Sequence, residues 1–140
     1  MLAALLGRIG VVADAICPAD IDERVPAGEL PRVHALRLAS EKALAIALTE
    51  PDALVLAADT VVAVGRRILP KVEDEATLRA CMALLSGRRH RVMTGVALAA
   101  PGVPLRTRLV ETMVAIKRLS EAEIDHYAAL GEWRGKAGGY

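Results

Sequence analysis

The sequence is poor in aromatic side chains, because its 140 residues include one Trp, two Tyr and no Phe. Proteins that bind RNA or single-stranded nucleic acid stack the bases on aromatic rings, so no nucleic-acid partner is expected. The formal net charge is only +1. Bulk electrostatics therefore gives no reason to expect a nucleic acid or an anionic membrane surface as a partner.

Cysteine pairs and long apolar runs are also missing from the sequence. Cys17 and Cys81 lie far apart and form no C-x-x-C pair, which predicts ordinary thiols in a reducing compartment rather than a disulfide or a zinc site. The apolar start lacks a basic region and is interrupted by Arg8, and no stretch approaches the ~20 apolar residues of a membrane span. We therefore expect a cytoplasmic protein with no membrane partner.

The residues that are present fit one domain, 1–140, because 54% of them are hydrophobic and can bury a core. Helix and strand patterns alternate along the chain, which predicts an α/β layered fold. The predicted helices are LAALLGRIG, residues 32–49 after Pro31, EDEATLRACMALLSG with Asp74 as N-cap, and SEAEIDHYAALG with a capping box. The predicted strands are VVADAI, residues 53–64, HRVMTGVALA and RTRLVETMVAIK.

One carboxylate, Asp59, lies in the middle of the apolar run LVLAADTVVAVG, residues 54–65. A buried strand does not tolerate a charge without a partner, so Asp59 needs a lysine, a metal ion or a set of hydrogen bonds. Two interpretations follow. Asp59 either faces a functional cleft or bonds to neighbouring backbone amides and has a structural role alone.

Three further polar positions are ambiguous from the pattern alone. Lys42 lies at the border of the apolar stripe of its helix, where a lysine either extends to solvent or points into a cleft, and position alone favours solvent. Lys71 lies in a turn, where lysines are usually solvated. Glu23 ends the loop PADIDE, which is either an ordinary surface loop or a place for Mg²⁺, since this ion takes one or two carboxylates with water and phosphate oxygens.

Six motifs occur in an order typical of one family. They are PADIDE, RLASEKA, LAADTVV, ILPKVEDEA, LLSGRRHRVMTGVAL and LSEAEIDHY followed by GEWRGKAGGY. In this order the chain resembles, over essentially its whole length, the Maf family of nucleoside triphosphate pyrophosphatases. The resemblance implies an α/β fold, with a mixed central sheet flanked by helices as in inosine triphosphatases. It also implies hydrolysis of a nucleoside triphosphate to the monophosphate and pyrophosphate with Mg²⁺ or Mn²⁺.

The resemblance also implies roles for individual residues. The Asp of the family's A-D-T motif maps to Asp59, which implies a catalytic proton acceptor for the attacking water. Glu23, Lys42, Lys71 and Thr60 map to substrate-binding positions, and Glu23 and Asp59 map to the metal. The A-D-T form resembles the subgroup that acts on dTTP and UTP, whereas the 7-methyl-GTP subgroup carries S-D-Q. Such an activity would keep these nucleotides out of nucleic acid, and the family is associated with cell-division arrest.

Other polar side chains near these motifs have two interpretations. Five of them either support the site or are satisfied locally in turns and strands: Thr60, Ser86, Arg88, His90 and Thr94. His34 and His126 lie on predicted helices and are expected at the surface. The partner that the resemblance implies is a nucleoside triphosphate, and a homodimer is compatible with it.

The sequence departs from the family pattern at both ends, so the fold is expected to be incomplete. Family members open with a strand and an S-x-S-P-R-R loop and continue past K-A-G-x-Y into an I-Q-G segment, and residues 1–140 contain neither. Without the arginines of that loop, weak turnover is expected, since Arg forks hold phosphate oxygens well. The alternative function is an impaired Maf-like remnant that binds nucleotide weakly or acts through protein contacts.

Overall fold

The computed structural model describes residues 2–140, which form four helices and six strands. The helices are α1 (Leu2–Gly7), α2 (Pro31–Thr49), α3 (Glu75–Leu85) and α4 (Glu121–Leu130). The strands are β1 (Val55–Val64), β2 (Arg67–Ile68), β3 (Lys71–Val72), β4 (Arg89–Ala100), β5 (Val103–Ala115) and β6 (Lys136–Ala137). Antiparallel pairs build a sheet in the order β2-β1-β4-β5, and β3 pairs with β6 in a separate ribbon. The predicted α/β class, a central sheet flanked by helices, is confirmed.

The helix ends follow local signals in the sequence. Pro31 occupies the start of α2, where its missing N–H leaves no hydrogen bond unmade. The Asp74 carboxylate accepts a hydrogen bond from the Thr77 N–H at 2.7 Å and caps α3. Ser120 and Glu123 form the predicted capping box of α4, and Gly131 ends that helix at a φ of 70°. These predictions are confirmed.

The segment of residues 11–16, VVADAI, was predicted as a strand, and this prediction is wrong. All six residues are exposed and none is in a strand. A β segment is stable only when a neighbouring strand takes up its hydrogen bonds. Within residues 2–140 no strand pairs with this one, so apolar composition alone does not produce a strand here.

Helix α2 packs closely on one face of the sheet, because the side chains between them are small. Alanines of α2 pack against alanines of β4 and β1, in a set that comprises Ala39, Ala43, Ala97 and Ala99 with Ala47 and Ala57 beside them. A Cβ placed on Gly95 of β4 would lie 2.3 Å from the backbone oxygen of Ala35. The helix backbone therefore rests directly on the strand at Gly95, which pairs with Asp59 of β1.

The opposite face of the sheet carries the larger hydrophobic core. Val62 of β1 packs there with residues of α3, α4 and the β3–β6 ribbon, including Val72, Leu78, Leu85 and Trp133. The Trp133 indole N–H donates to the carbonyl oxygen of Ala128 at 2.9 Å, so the buried ring leaves no polar atom unsatisfied. This core fixes the ribbon against β1. No helix within residues 2–140 is both long and apolar enough to cross a membrane.

The close approach at Gly95 makes a stability prediction. Gly95→Ala should lower the free energy of unfolding by about 1–3 kcal/mol, because the added methyl group meets backbone atoms of α2 that cannot rotate away. Urea denaturation measures this difference. Gly7→Ala is the matched control, since a Cβ at Gly7 meets nothing within 4 Å. Equal midpoints for the two variants would contradict the close packing of α2 on β4.

Candidate active site

A cavity of about 800 Å³ lies along the edge of β1. Four consecutive residues, Asp59 to Val62, line it. Strand β2 pairs only with Ala63 and Val64, so the edge of β1 before them has no strand partner within residues 2–140. The other walls come from the loop before α2, from α2 itself and from the β3–β6 ribbon: Glu23–Val25, His34, Leu38, Lys42, Pro70, Lys71 and Gly135–Ala137.

The ammonium group of Lys42 lies between two carboxylates in this cavity. Its Nζ is 2.6 Å from Oδ1 of Asp59 and 2.6 Å from Oε1 of Glu23. The preference for solvent drawn from helix position was therefore wrong for Lys42, because the close packing of α2 on the sheet directs this side chain toward β1. The Asp59 carboxylate has a lysine as its partner, and the side chain is 13% exposed.

The charge state of this group is set by competing effects. Burial alone lowers the pKa of Lys42, but the hydrogen bonds to Asp59 and Glu23 outweigh it and leave that pKa above its ordinary value of 10.5. The hydrogen bond from Lys42 in turn lowers the pKa of Glu23 below 4.5, and the positive charge of Lys71 adds to this effect. The lysine is thus charged and Glu23 is ionised at neutral pH.

Only one of the three loop carboxylates reaches the cavity. Asp22 binds the guanidinium of its neighbour Arg24, with contacts of 2.6 to 2.9 Å, and this ion pair lowers the pKa of Asp22 to about 2. Asp20 is also absent from the lining, whereas Glu23 lines it. The local turn therefore separates Glu23 from the other two acidic residues.

An ion-pair network fixes the loop that carries Glu23. The Glu29 carboxylate, whose side chain is 9% exposed, accepts from Arg37 Nε at 2.7 Å and from His34 Nδ1 at 2.6 Å. Arg37 also donates to the backbone oxygen of Arg24 at 3.1 Å, directly after Glu23. Arg37 also pairs with Glu41, one turn farther along α2, at 3.1 Å. Because both anchors lie on α2, the loop holds Glu23 beside Lys42.

The prediction that His34 lies at the surface is wrong. It is 4% exposed, because Glu29 from the preceding loop covers it and binds its ring. The prediction that His126 is exposed is confirmed. A sequence signal for His34 exists, since residues 34, 38 and 42 are spaced by four and lie on one helix face. All three line the cavity.

The other predicted support residues divide into two groups. Thr60 lines the cavity, and its hydroxyl lies 2.9 Å from that of Thr94 on the neighbouring strand. Ser86 instead accepts a hydrogen bond from the Leu119 N–H at 2.8 Å and holds the segment before α4. His90 is 2% exposed and bonds through Nε2 to the Tyr140 hydroxyl, and burial lowers its pKa. Arg88 is exposed and absent from the lining. Local satisfaction therefore describes Ser86, whereas His90 is bonded at Nε2 only, and its buried Nδ1 has no partner among the described residues.

The carboxylates of Glu23 and Asp59 suit a divalent cation that takes only one or two ligands from the protein. Oxygens of Glu23 and Asp59 converge on a single positive centre, the Lys42 ammonium. Mg²⁺ commonly binds through one or two carboxylates and takes its remaining ligands from water and phosphate. In the part of the chain that the structure describes, no group of three or more His, Cys, Asp or Glu residues is placed to hold a metal. The donor set therefore fits a cation that shares its coordination with substrate oxygens.

The chain is similar in sequence to known proteins. Residues 3–140 match the profile of a family described as Maf-like protein. The chain belongs to the Maf family. Among similar curated proteins is the dTTP/UTP pyrophosphatase of Caulobacter vibrioides, 62% identical over 136 residues that make up 97% of this chain and 70% of the relative. The proteins of the same name from Paramagnetospirillum magneticum and Novosphingobium aromaticivorans are 60% and 58% identical over 97% of this chain, and over 72% and 68% of their own lengths.

Sequence reasoning missed two charged residues of the Maf cavity, Arg24 and Lys136. Lys136 belongs to β6 and lines the cavity from the ribbon that also carries Lys71. The sequence GEWRGKAGGY places this lysine between glycines, which by itself predicts only a solvated turn. Its position near Lys71 follows from the pairing of β3 with β6, two segments whose paired residues are 64 and 66 positions apart in the sequence.

The network at Glu29 predicts a pH-dependent stability. The hydrogen bond from Arg37 is the main cause that holds the pKa of Glu29 below 4.5, although burial opposes it. A carboxyl group whose pKa is lowered by folding stabilises the protein at pH values above its ordinary pKa. This stabilisation is lost as the pH falls through the lowered pKa. Glu29→Gln should therefore lower the free energy of unfolding at pH 7 by about 1–2 kcal/mol.

The difference between wild type and Glu29→Gln should shrink as the pH falls below 4.5, the ordinary value for the carboxyl. Urea denaturation of wild type and variant at pH 7 and at a pH below 4.5 measures this difference. Glu41→Gln is the control, because Glu41 is 42% exposed and a surface pair contributes little. A deficit for Glu29→Gln that stays constant with pH would contradict the ion-pair explanation.

Proposed function

We propose that this chain hydrolyses dTTP and UTP between the α and β phosphates, which gives the nucleoside monophosphate and pyrophosphate. Its relatives with 58 to 62% identity bear the name dTTP/UTP pyrophosphatase. The observation that carries the proposal is the placement of Glu23, Lys42 and Asp59 in contact at the wall of one cavity. Phosphoryl transfer needs positioned charges more than covalent groups, and this arrangement supplies them.

Asp59 is the proposed catalytic base. Its carboxylate accepts a proton from a water molecule while the water oxygen forms a bond to the α-phosphorus. The bond from the α-phosphorus to the bridging oxygen breaks, and the electron pair leaves with pyrophosphate. Lys42 donates to Oδ1 of Asp59 at 2.6 Å, so this oxygen is oriented and the second oxygen remains for the water.

A divalent cation, Mg²⁺ or Mn²⁺, is the proposed cofactor. Glu23 and Asp59 are its proposed protein ligands, because these are the two carboxylates that line the cavity. When bound, the ion neutralises charge on the phosphate oxygens of the substrate. Lys42 holds one oxygen of each carboxylate and keeps the two groups close together, so the ion would bind beside the ammonium.

The substrate contacts proposed for this chain are Lys42, Lys71, Glu23 and Thr60. Lys71 is exposed within the cavity and belongs to no ion pair among residues 2–140. Its charge is therefore available to phosphate oxygens. The hydroxyl of Thr60 is held by Thr94, so its remaining hydrogen-bonding capacity has a fixed direction into the cavity.

A homodimer, a cytoplasmic location and one domain over residues 1–140 stay predictions.

Substrate preference tests the proposed function. We expect pyrophosphate release from dTTP and UTP, and less from ATP or 7-methyl-GTP, when the 140-residue chain is in excess over nucleotide with Mg²⁺. Single-turnover conditions detect slow hydrolysis as well as fast. EDTA in place of Mg²⁺ should abolish release, because the two carboxylates then repel the phosphates. Release from 7-methyl-GTP above that from dTTP, or undiminished turnover in EDTA, would contradict the proposed substrate or cofactor.

The role of Asp59 is tested by a near-isosteric change. Asp59→Asn should lower the single-turnover rate with dTTP by about 10² or more, since the amide cannot accept the proton from water. Asp52→Asn is the matched control, because Asp52 is exposed in the turn before β1 and is absent from the cavity lining. Circular dichroism checks that both variants fold. Equal rates for the two variants would show that Asp59 is structural.

A further inference from the structure

Before a divalent cation binds, the carboxylate side of the cavity has too little positive charge to attract a triphosphate. Lys42 is the cation there, and it contacts both Glu23 and Asp59 at 2.6 Å. One ammonium between two carboxylates leaves this trio with a net negative charge. Arg24 also lines the cavity, but Asp22 neutralises its guanidinium with a fork of hydrogen bonds. With Lys71 alone added, the cavity would be neutral in sum.

We propose that Lys136 binds the phosphate chain of the substrate together with Lys71, as the cationic wall of the cavity. This inference rests on the proposed function. Lys136 lines the cavity, is exposed, and makes no ion pair with another residue of 2–140. Its charge makes the cavity positive in sum. The phosphate chain then contacts the two lysines of the ribbon, and its α-phosphorus faces Asp59 of β1.

The ribbon that carries the two lysines is fixed by its backbone. The N–H of Gly135 donates to the oxygen of Val72 at 2.8 Å, and the N–H of Gly138 donates to that of Pro70 at 2.9 Å. The pairs Lys71–Ala137 and Val72–Lys136 set the register. The two lysines belong to neighbouring pairs of this ribbon, so their side chains leave opposite faces of it, and both residues line the cavity that the ribbon borders.

Close packing holds the ribbon against the sheet as well. A Cβ on Gly138 would lie 3.0 Å from Val62, and a Cβ on Gly139 would lie 2.8 Å from Leu78. These glycines follow Lys136 and have positive φ angles of 68° and 85°. The side chain of Lys71 runs over Gly135, with Cε 4.0 Å from the position of a Cβ there. The missing side chain at Gly135 thus leaves room for the side chain of Lys71 on the ribbon.

Binding of inorganic tripolyphosphate tests the role of Lys136 without turnover. Isothermal calorimetry should show an affinity about 3- to 10-fold weaker for Lys136→Gln than for wild type, with a smaller salt dependence. Lys136→Arg keeps the charge and should retain most of the affinity. Arg106→Gln is the control for net charge, because Arg106 is an exposed residue of β5 that is absent from the cavity lining.

Three results would overturn the assignment. They are no measurable binding of tripolyphosphate to the wild type, equal affinity for Lys136→Gln and wild type, and equal loss of affinity for Lys136→Gln and Arg106→Gln.

With dTTP as substrate, Lys136→Gln should raise KM more than it lowers kcat, because Lys136 binds phosphate throughout the reaction. The assignment and the proposed function fail separately. Tripolyphosphate binding that depends on Lys136 without dTTP hydrolysis would contradict only the function, and hydrolysis without dependence on Lys136 would contradict only the assignment.

Discussion

The close approach of α2 to the sheet is the constraint on which the cavity depends. The helix backbone reaches β4 at Gly95, where a Cβ would lie 2.3 Å from the Ala35 oxygen. Gly95 pairs with Asp59, so the closest contact of helix and sheet is beside the carboxylate. Two turns farther along α2, Lys42 is then near enough to bring its Nζ to 2.6 Å from Asp59. A bulkier interface would hold the ammonium away and leave the carboxylate in β1 without a partner.

The same helix also positions the second carboxylate. Arg37 binds both the Glu29 side chain and the backbone oxygen of Arg24. Glu23 directly precedes Arg24 in the same loop. The side chain of Glu23 is 47% exposed, so its ion pair with Lys42 alone is too weakly protected from solvent to fix a loop. The buried Glu29 pair supplies that restraint. Helix α2 therefore orients both carboxylates, one directly and one through the loop.

The sequence alone predicted features that depend on neighbours in the chain. The capping box at Ser120, the N-cap at Asp74 and the need of Asp59 for a partner are all local or compositional. Features set by distant segments were missed. The direction of Lys42 depends on how closely α2 packs, and the burial of His34 depends on Glu29 from a loop. The apolar run of residues 11–16 forms no strand, because strand formation requires a partner that composition does not reveal.

The position of Lys136 illustrates the same limit at the site itself. The family motifs direct attention to Lys42 and Lys71, and a count of charges in the sequence treats these two lysines as equivalent. In the folded chain they differ, because Lys42 shares its charge between Glu23 and Asp59 while Lys71 has no such partner in residues 2–140. The cavity therefore contains lysines of two kinds: Lys42, which pairs with both carboxylates, and lysines that have no ion-pair partner in residues 2–140. Only the antiparallel pairing of β3 with β6 brings Lys136 to the cavity as one of the second kind.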